Sequence, residues 1–296
     1  MQKNAFVVYV FGAYEKYINY YIYFINLNYP NDDVVIFYQG NLSPKIKSIA
    51  IEFDNVILYE NVFDQYEKIG GGGPKLLRWI LPEEYFENYK YVYIGDVDIL
   101  VLKEKESLFD FHSNQMKNFK TAFSNRVRPL KDGGLSKRLT GLHFIDVKPY
   151  YKAISTLAQK LREDTEFQNI FLNGLKRNEE VLYKIVKTAI GFDANEIVKM
   201  KRPLHGFHVG VVRVGKKLDS QTIRENSSID PEEMVNQLTK ALTDERFINI
   251  FTESFCDEIY FTYKQLKISL PFAIKKEAIS FKLNKLISRI KNKLSN

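Results

Sequence analysis

The first hundred residues alternate between short β-branched or aromatic runs and stretches with helical patterning, and this alternation restricts the fold more than any other feature of the chain. "FVVYVFG" (6–12) reads as a strand, a helical stretch follows over about 15–27, and "DVVIFYQ" (33–39) reads as a second strand. Ser43 and Pro44 signal the start of a helix over 43–52, "NVILYE" (55–60) is a third strand, a helix is expected over about 74–81, and a fourth strand ends at Gly95. Strands that alternate with helices in this way build a mostly parallel sheet covered by helices. The fold class expected is therefore α/β, and 296 residues are enough to bury a full core.

The fourth strand runs directly into two acids: "KYVYIGDVDIL" (90–100) places Asp96 and Asp98 after Gly95 and before Ile99 and Leu100. A buried carboxylate costs several kcal/mol unless it is paired or bound to a cation, and Asp is a poor strand former. One reading is a strand-end turn made permissive by Gly95 and capped by the Asp side chains. The other follows from position, because ligands of open α/β sheets sit outside the carboxyl ends of the strands. Two carboxylates there can hold a divalent cation through oxygen ligands.

Later segments add candidates. "RVRPLKDGGLSKR" (126–138) is a loop rich in Arg and Gly, "TGLHFIDV" (140–147) is strand-like, and helices are expected over about 148–162 and 178–189. "HGFHVGVVRV" (205–214) reads as a strand and Pro231 opens a helix through about 242. Glu179 and Glu180 begin a helix, where acids favour the positive end of the dipole, so capping alone explains them. His205 and His208 are imidazoles three residues apart, each equally readable as a satisfied structural histidine. Gly71–Gly73 suggest a loop but not a phosphate-cradling P-loop, since no Gly-Lys-Ser/Thr follows.

The stretch "KLLRWILPEEYFENYKYVYIGDVDILVL" (75–102) resembles the GT-A nucleotide-sugar glycosyltransferases, especially the glycogenin-like and lipopolysaccharide-galactosyltransferase-like family eight. "LTGLHFIDVKPY" (139–150), "RNEEVLYKI" (177–185) and "PLHGFHVGVVR" (203–213) are similar to further family segments in the expected order. The chain departs from the pattern at Gly95, at Leu139 before Thr140 and Gly141, at Asn178-Glu179-Glu180 in place of an Asp-Gln-Asp, and after Arg213, where no Pro-Trp follows.

The resemblance implies a GT-A, Rossmann-like fold with a mostly parallel mixed sheet flanked by helices. It implies transfer of a sugar from a nucleotide-sugar, a UDP-sugar, to a glycan or lipid-linked acceptor in bacterial lipopolysaccharide or capsule synthesis, with retained anomeric configuration. Asp96 and Asp98 would hold Mn²⁺ or Mg²⁺ with His208, with His205 as the competing ligand. Arg78 and Lys75 would contact the donor, Thr140 and Gly141 would let the sugar approach the backbone, and Glu179 or Glu180 would face a sugar. An inverting GT-A transferase and a non-catalytic sugar- or nucleic-acid-binding protein are the alternatives.

Charge separates the last segment from the rest. Residues 264–296 carry nine Lys or Arg against Glu277, a net +8, so the first 263 residues sum to −1 of the chain's +7. A neutral body argues against nucleic-acid binding. In the tail, Ile279, Leu283, Leu286, Ile287, Ile290 and Leu294 fall on one helical face beside Lys282, Lys285, Arg289 and Lys293. The expectation is a catalytic domain over 1–263 and a basic amphipathic helix over 264–296 that attaches to an anionic membrane surface. "AFVVYVFGA" (5–13) is read as a first strand rather than a signal segment, no apolar run reaches the length of a membrane span, and the lone Cys256 fits a reducing compartment. Together these predict a cytoplasmic protein, peripheral on the inner face of the cell membrane.

Overall fold

The computed structural model describes residues 3–63, 73–130 and 132–294. Its strands are β1 (Lys3–Phe11), β2 (Asp33–Gln39), β3 (Val56–Glu60), β4 (Tyr89–Gly95), β5 (Ile99–Leu100), β6 (Phe123–Ser124), β7 (Val127–Pro129), β8 (Leu135–Leu139), β9 (His143–Asp146) and β10 (Phe207–His208). Its helices are α1 (Ile18–Asn28), α2 (Pro44–Ala50), α3 (Leu108–Phe119), α4 (Val147–Glu163), α5 (Thr165–Leu172), α6 (Asn178–Ala189), α7 (Ala194–Ile197), α8 (Gly210–Arg213), α9 (Ser220–Asn226), α10 (Pro231–Ala241), α11 (Glu245–Glu253), α12 (Asp257–Gln265) and α13 (Phe272–Leu294).

Six strands form one sheet in the order β3-β2-β1-β4-β9-β6. The pairs β3–β2, β2–β1 and β1–β4 are parallel, whereas β9 runs antiparallel to both β4 and β6. This is the mostly parallel mixed sheet, flanked by helices, that the resemblance implied. The chain steps outward from β1 to β2 and β3, then returns to place β4 on the other side of β1. That reversal opens a crevice at the carboxyl ends of β1 and β4, where open sheets take their ligands.

Period-two alternation in β1 builds a core on each face of the sheet. Phe6, Val8 and Val10 pack with α1 and the C-terminal helices, while Ala5, Val7 and Tyr9 pack with Trp79, Ile80 and helices α4 and α6. Both layers are dense in aromatic contacts, such as Tyr20 edge-on to Phe251 at 5.5 Å between ring centres.

Three parts depart from the sequence expectations. The helix expected over 74–81 is a 3-10 helix over Gly73–Trp79, which puts Arg78 near the end of β4. The polar segment after Leu102 contains α3, capped by the Ser107 hydroxyl, which accepts from the Asp110 amide. The stretch 205–214 is not one strand: only Phe207–His208 pairs, and Gly210–Arg213 turns into a helix. Gly71 and Gly72 lie outside the described residues.

The boundary expected at residue 264 falls inside α12, and the tail does not begin as a free element. Leu270, Ile274 and Ala278 are buried in the same core as α11 and α12, and Phe281 packs on Phe255 at 5.0 Å. The first turns of α13 therefore belong to the body. The opposite face is exposed, with Ile279, Leu283, Leu286 and Ile287 each about half accessible or more. No described helix is long and apolar enough to cross a membrane.

Candidate active site

Asp96 and Asp98 follow the last residue of β4 and face the crevice with opposite burial. The Asp96 side chain is 37% exposed, and its Oδ1 accepts from a guanidinium nitrogen of Arg78 at 2.5 Å. Arg78 itself is 6% exposed: it also donates to the Gly95 carbonyl at 3.0 Å and lies over the Trp79 ring at 4.2 Å. At Asp98 the acid is buried, 4% exposed, and its partners reach in from the surface. Oδ2 accepts from Arg213 at 3.1 Å, and Oδ1 lies 3.3 Å from His208 Nε2.

His208 reaches Asp98 because two short strands pair. β5, immediately after Asp98, runs antiparallel to β10 with His208 opposite Ile99, and the Val209 amide donates to the Asp98 carbonyl at 2.9 Å. Gly206 permits that pairing. Its φ is +75°, and a Cβ there would lie 2.2 Å from the Leu100 carbonyl oxygen. Burial opposes the charge on both members of the His208–Asp98 pair, yet their mutual hydrogen bond and attraction outweigh it. The Asp98 carboxyl is held below its usual range, with Arg213 adding to the effect, and the His208 imidazole above its own.

His205 is enclosed instead. Its Nδ1 lies 3.0 Å from the Pro203 carbonyl and its Nε2 3.3 Å from the Asn226 carbonyl, and burial, reinforced by Arg202, pushes its pKa down to about 3. His112 and His143 are likewise buried, with pKa values lowered by burial to about 3.

The crevice has two lobes that share Asp96, Glu179 and His208. The first, about 230 Å³, is walled by Tyr9 and Phe11 from the end of β1 and by Tyr14, and Arg78 and Arg213 also line it. Arg213 also lies 5.0 Å over the Tyr14 ring. The second, about 500 Å³, passes Thr140 and Gly141 and is walled by arginines.

The remaining candidates divide. Gly141 leaves room for the Arg78–Asp96 pair, since a Cβ there would lie 3.2 Å from Asp96 Oδ2 and 3.4 Å from the Arg78 guanidinium. The Thr140 hydroxyl donates to Asn125 Oδ1 at 2.6 Å, and Asn125 Oδ1 also receives the Thr140 amide at 3.0 Å, so this threonine shapes the wall. Glu179 borders both lobes, with Arg138 at 3.8 Å. Glu180 turns back to accept from the Lys176 and Arg177 amides at 2.8 and 3.1 Å, which is a helix cap. The side chain of Lys75 lies outside the described residues. Tyr9, Phe11, Tyr14 and Arg213 escape selection from sequence as site residues, because nothing local marks a strand-end aromatic as a crevice wall.

Two carboxylates and an imidazole are a donor set suited to a divalent cation of the Mn²⁺ type. Asp98 and His208 already share one wall, whereas Asp96 is engaged by Arg78 and would have to turn from it; its exposure leaves room for that. Among the described residues the group of three potential ligands that lies closest together is elsewhere, at Cys256, Asp257 and Glu258, and there the Lys16 ammonium sits 2.6 Å from Glu258 and 3.3 Å from Asp257.

No protein-family profile and no curated protein matches this chain. Solved structures do. The chain is similar to the galactosyltransferase LgtC in complex with donor and acceptor sugar analogues, at 12% identity and a TM-score of 0.40, over 61% of this chain and 70% of that one. It is similar to the apo-form glycosyltransferase GlyE of Streptococcus pneumoniae TIGR4, at 15% identity and a TM-score of 0.44, over 92% and 65%. Mouse xyloside xylosyltransferase 1 is similar at 10% identity and a TM-score of 0.40, over 66% and 83%.

Proposed function

We propose that this chain is a metal-dependent glycosyltransferase that moves a sugar from a UDP-sugar to a glycan or lipid-linked acceptor. The observation that carries the reading is the floor of the crevice. Asp96 and Asp98 stand at the carboxyl end of β4, His208 is brought beside Asp98 by the β5–β10 pair, and an aromatic lobe opens at the end of β1. Tyr9, Phe11 and Tyr14 offer apolar faces for a nucleoside, and Arg78 and Arg213 offer cations to a diphosphate. A divalent ion held by Asp96, Asp98 and His208 would supply Lewis-acid stabilisation of the departing nucleoside diphosphate.

The protein's own groups do the rest. Arg78, fixed by the Gly95 carbonyl and the Trp79 ring, holds a cation beside Asp96 that a diphosphate can take over when Asp96 turns to the ion. Arg213, 3.1 Å from Asp98, supplies a fixed positive charge to that carboxylate whether or not His208 is engaged by the ion. Gly141 leaves room beside the Arg78–Asp96 pair, and Glu179 is the carboxylate placed to meet a sugar that lies across both lobes. Retention of anomeric configuration is proposed with the family resemblance.

The protein should release UDP from one member of a panel of UDP-sugars in Mn²⁺, and EDTA should abolish release. Equal turnover with and without EDTA would remove the metal from the mechanism, and no turnover or binding across the panel would remove the function. Proton NMR of the product's anomeric centre reads retention against inversion.

Peripheral attachment to the inner face of the cell membrane, as part of surface-polysaccharide synthesis, is also proposed. The exposed stripe of Ile279, Leu283, Leu286 and Ile287 next to the tail's basic residues supports it. Ending the chain after Phe281 keeps Leu270, Ile274 and Ala278 in the core and should abolish sedimentation with phosphatidylglycerol vesicles at moderate salt. Continued sedimentation would place the membrane contact elsewhere.

A further inference from the structure

Three arginines line the second lobe and none of the chemistry above uses them. Arg128 lies on β7 and Arg126 immediately before it, so both come from the Arg-rich segment that the sequence left without a role; Arg202 enters from the loop ahead of His205. Among the described residues none of the three has a carboxylate within 4.0 Å, although the lobe contains acids. Each of those acids is engaged elsewhere: Asp96 by Arg78, Glu179 facing Arg138, and Glu225 accepting from Gln221 at 3.1 Å. Arg202 donates to the Glu225 backbone carbonyl at 2.5 Å, and the Arg126 Nε is buried with no hydrogen-bond partner. Partial desolvation and then repulsion from Arg128 and Arg126 hold the Arg202 guanidinium below its ordinary range. Arg128 and Arg202 are exposed and Arg126 is half-buried, so their guanidinium groups are open to a ligand, and an anion held among them relieves their mutual repulsion.

We infer that the second lobe binds the acceptor through an anionic group on it, a phosphate monoester or a carboxylate carried by the sugar. This rests on the proposed function for the word acceptor; the anion site itself does not. The anion belongs to the second substrate rather than to the donor because the arginines line the lobe across Asp96, Glu179 and His208 from the aromatic wall, and Arg78 and Arg213 already stand on the donor side. Guanidinium groups suit either anion, since both present paired oxygens to the planar fork. The lobe, about 500 Å³, has room for a sugar bearing such a group.

The test is calorimetric, with glucose 6-phosphate, glucuronate, inorganic phosphate and neutral glucose titrated separately into the full chain and into the Arg128→Ala/Arg202→Ala variant. Binding of UDP in Mn²⁺ is measured on both proteins. Glucose 6-phosphate or glucuronate should bind the unaltered protein at least tenfold more tightly than glucose, the variant should lose that difference, and UDP affinity should stay within twofold. The phosphate and glucuronate arms separate the two anions, and inorganic phosphate separates a bare phosphate site from one that needs the sugar. Equal binding of glucose and both anionic sugars overturns the inference, as does a preference that survives in the variant. A matching loss of UDP affinity overturns it too, by assigning the arginines to the donor. If UDP binds neither protein while the anionic preference is present and lost in the variant, the anion site stands and the transferase reading falls. The single substitution Arg128→Gln, on an exposed position of β7, repeats the comparison if the double variant does not fold.

Discussion

Asp96→Asn should destabilise the protein more than Asp98→Asn does, although Asp96 is the exposed acid of the two. The reason lies in which partner is buried. Asp96 neutralises Arg78, whose side chain is 6% exposed and whose Nε is buried without a partner, so removing the negative charge strands a guanidinium inside the protein. Breaking a buried pair from one side costs about 3–5 kcal/mol, and the low end applies because an amide oxygen still accepts and the Gly95 carbonyl remains. Asp98 is the reverse case. Its partners Arg213 and His208 are 38% and 32% exposed and can turn to water, while the substitution removes a carboxylate that is 4% exposed and costly to bury. About 1 kcal/mol is expected there, near that of one ordinary hydrogen bond.

At roughly 2–4 °C per kcal/mol for a chain of this class, Asp96→Asn should lower Tm by about 6–12 °C and Asp98→Asn by about 2–4 °C. Thermal unfolding in EDTA reads both without interference from a bound ion. Placing Asp96→Asn in an Arg78→Met background should recover most of its cost, because no cation is then stranded. An Asp98→Asn shift as large as that of Asp96→Asn, or an unchanged cost in the Arg78→Met background, would refute the reasoning.

Acid should unfold the protein through its buried histidines. His112, His143 and His205 have folded pKa values lowered to about 3 against an unfolded value near 6.5, so the unfolded state binds more protons and stability falls as pH drops below 6.5, by roughly 2 kcal/mol per histidine at pH 5. A Tm that does not change between pH 7 and pH 5 would show that these imidazoles are not enclosed. Gly206→Ala must push β10 away from β5, because its Cβ would overlap the Leu100 carbonyl, and should weaken Mn²⁺ binding at least tenfold along with a loss of several degrees in Tm; Mn²⁺ titration with unaltered affinity would uncouple the strand pair from His208. Glu180→Ala should lower Tm by a few degrees, at a cost of about 1 kcal/mol, and spare turnover, whereas Glu179→Gln should spare Tm and lower turnover; parallel Tm and turnover measurements that reverse this order would exchange their roles.

The sequence alone determined the alternation of β1 to β4 with helices, because period-two apolar runs and cap residues are local signals that survive without a partner. It also marked Asp96 and Asp98, since two acids at the end of an apolar strand are chemically conspicuous in one dimension. It could not distinguish Glu179 from Glu180, which differ only in which way one turn of α6 points them, nor His208 from His205, whose separation depends on a two-residue strand too short to show a period. The tail was legible as amphipathic, yet its division into a buried face at Ile274 and Ala278 and an exposed one at Leu283 and Ile287 required the body it packs on. Arg126 and Arg128 read as part of a polar loop until β9 ran antiparallel beside β4 and the β7–β8 hairpin carried them across the crevice. Each such decision concerns residues distant in sequence, and only packing in three dimensions sets the charge, burial and neighbours that give those residues their chemistry.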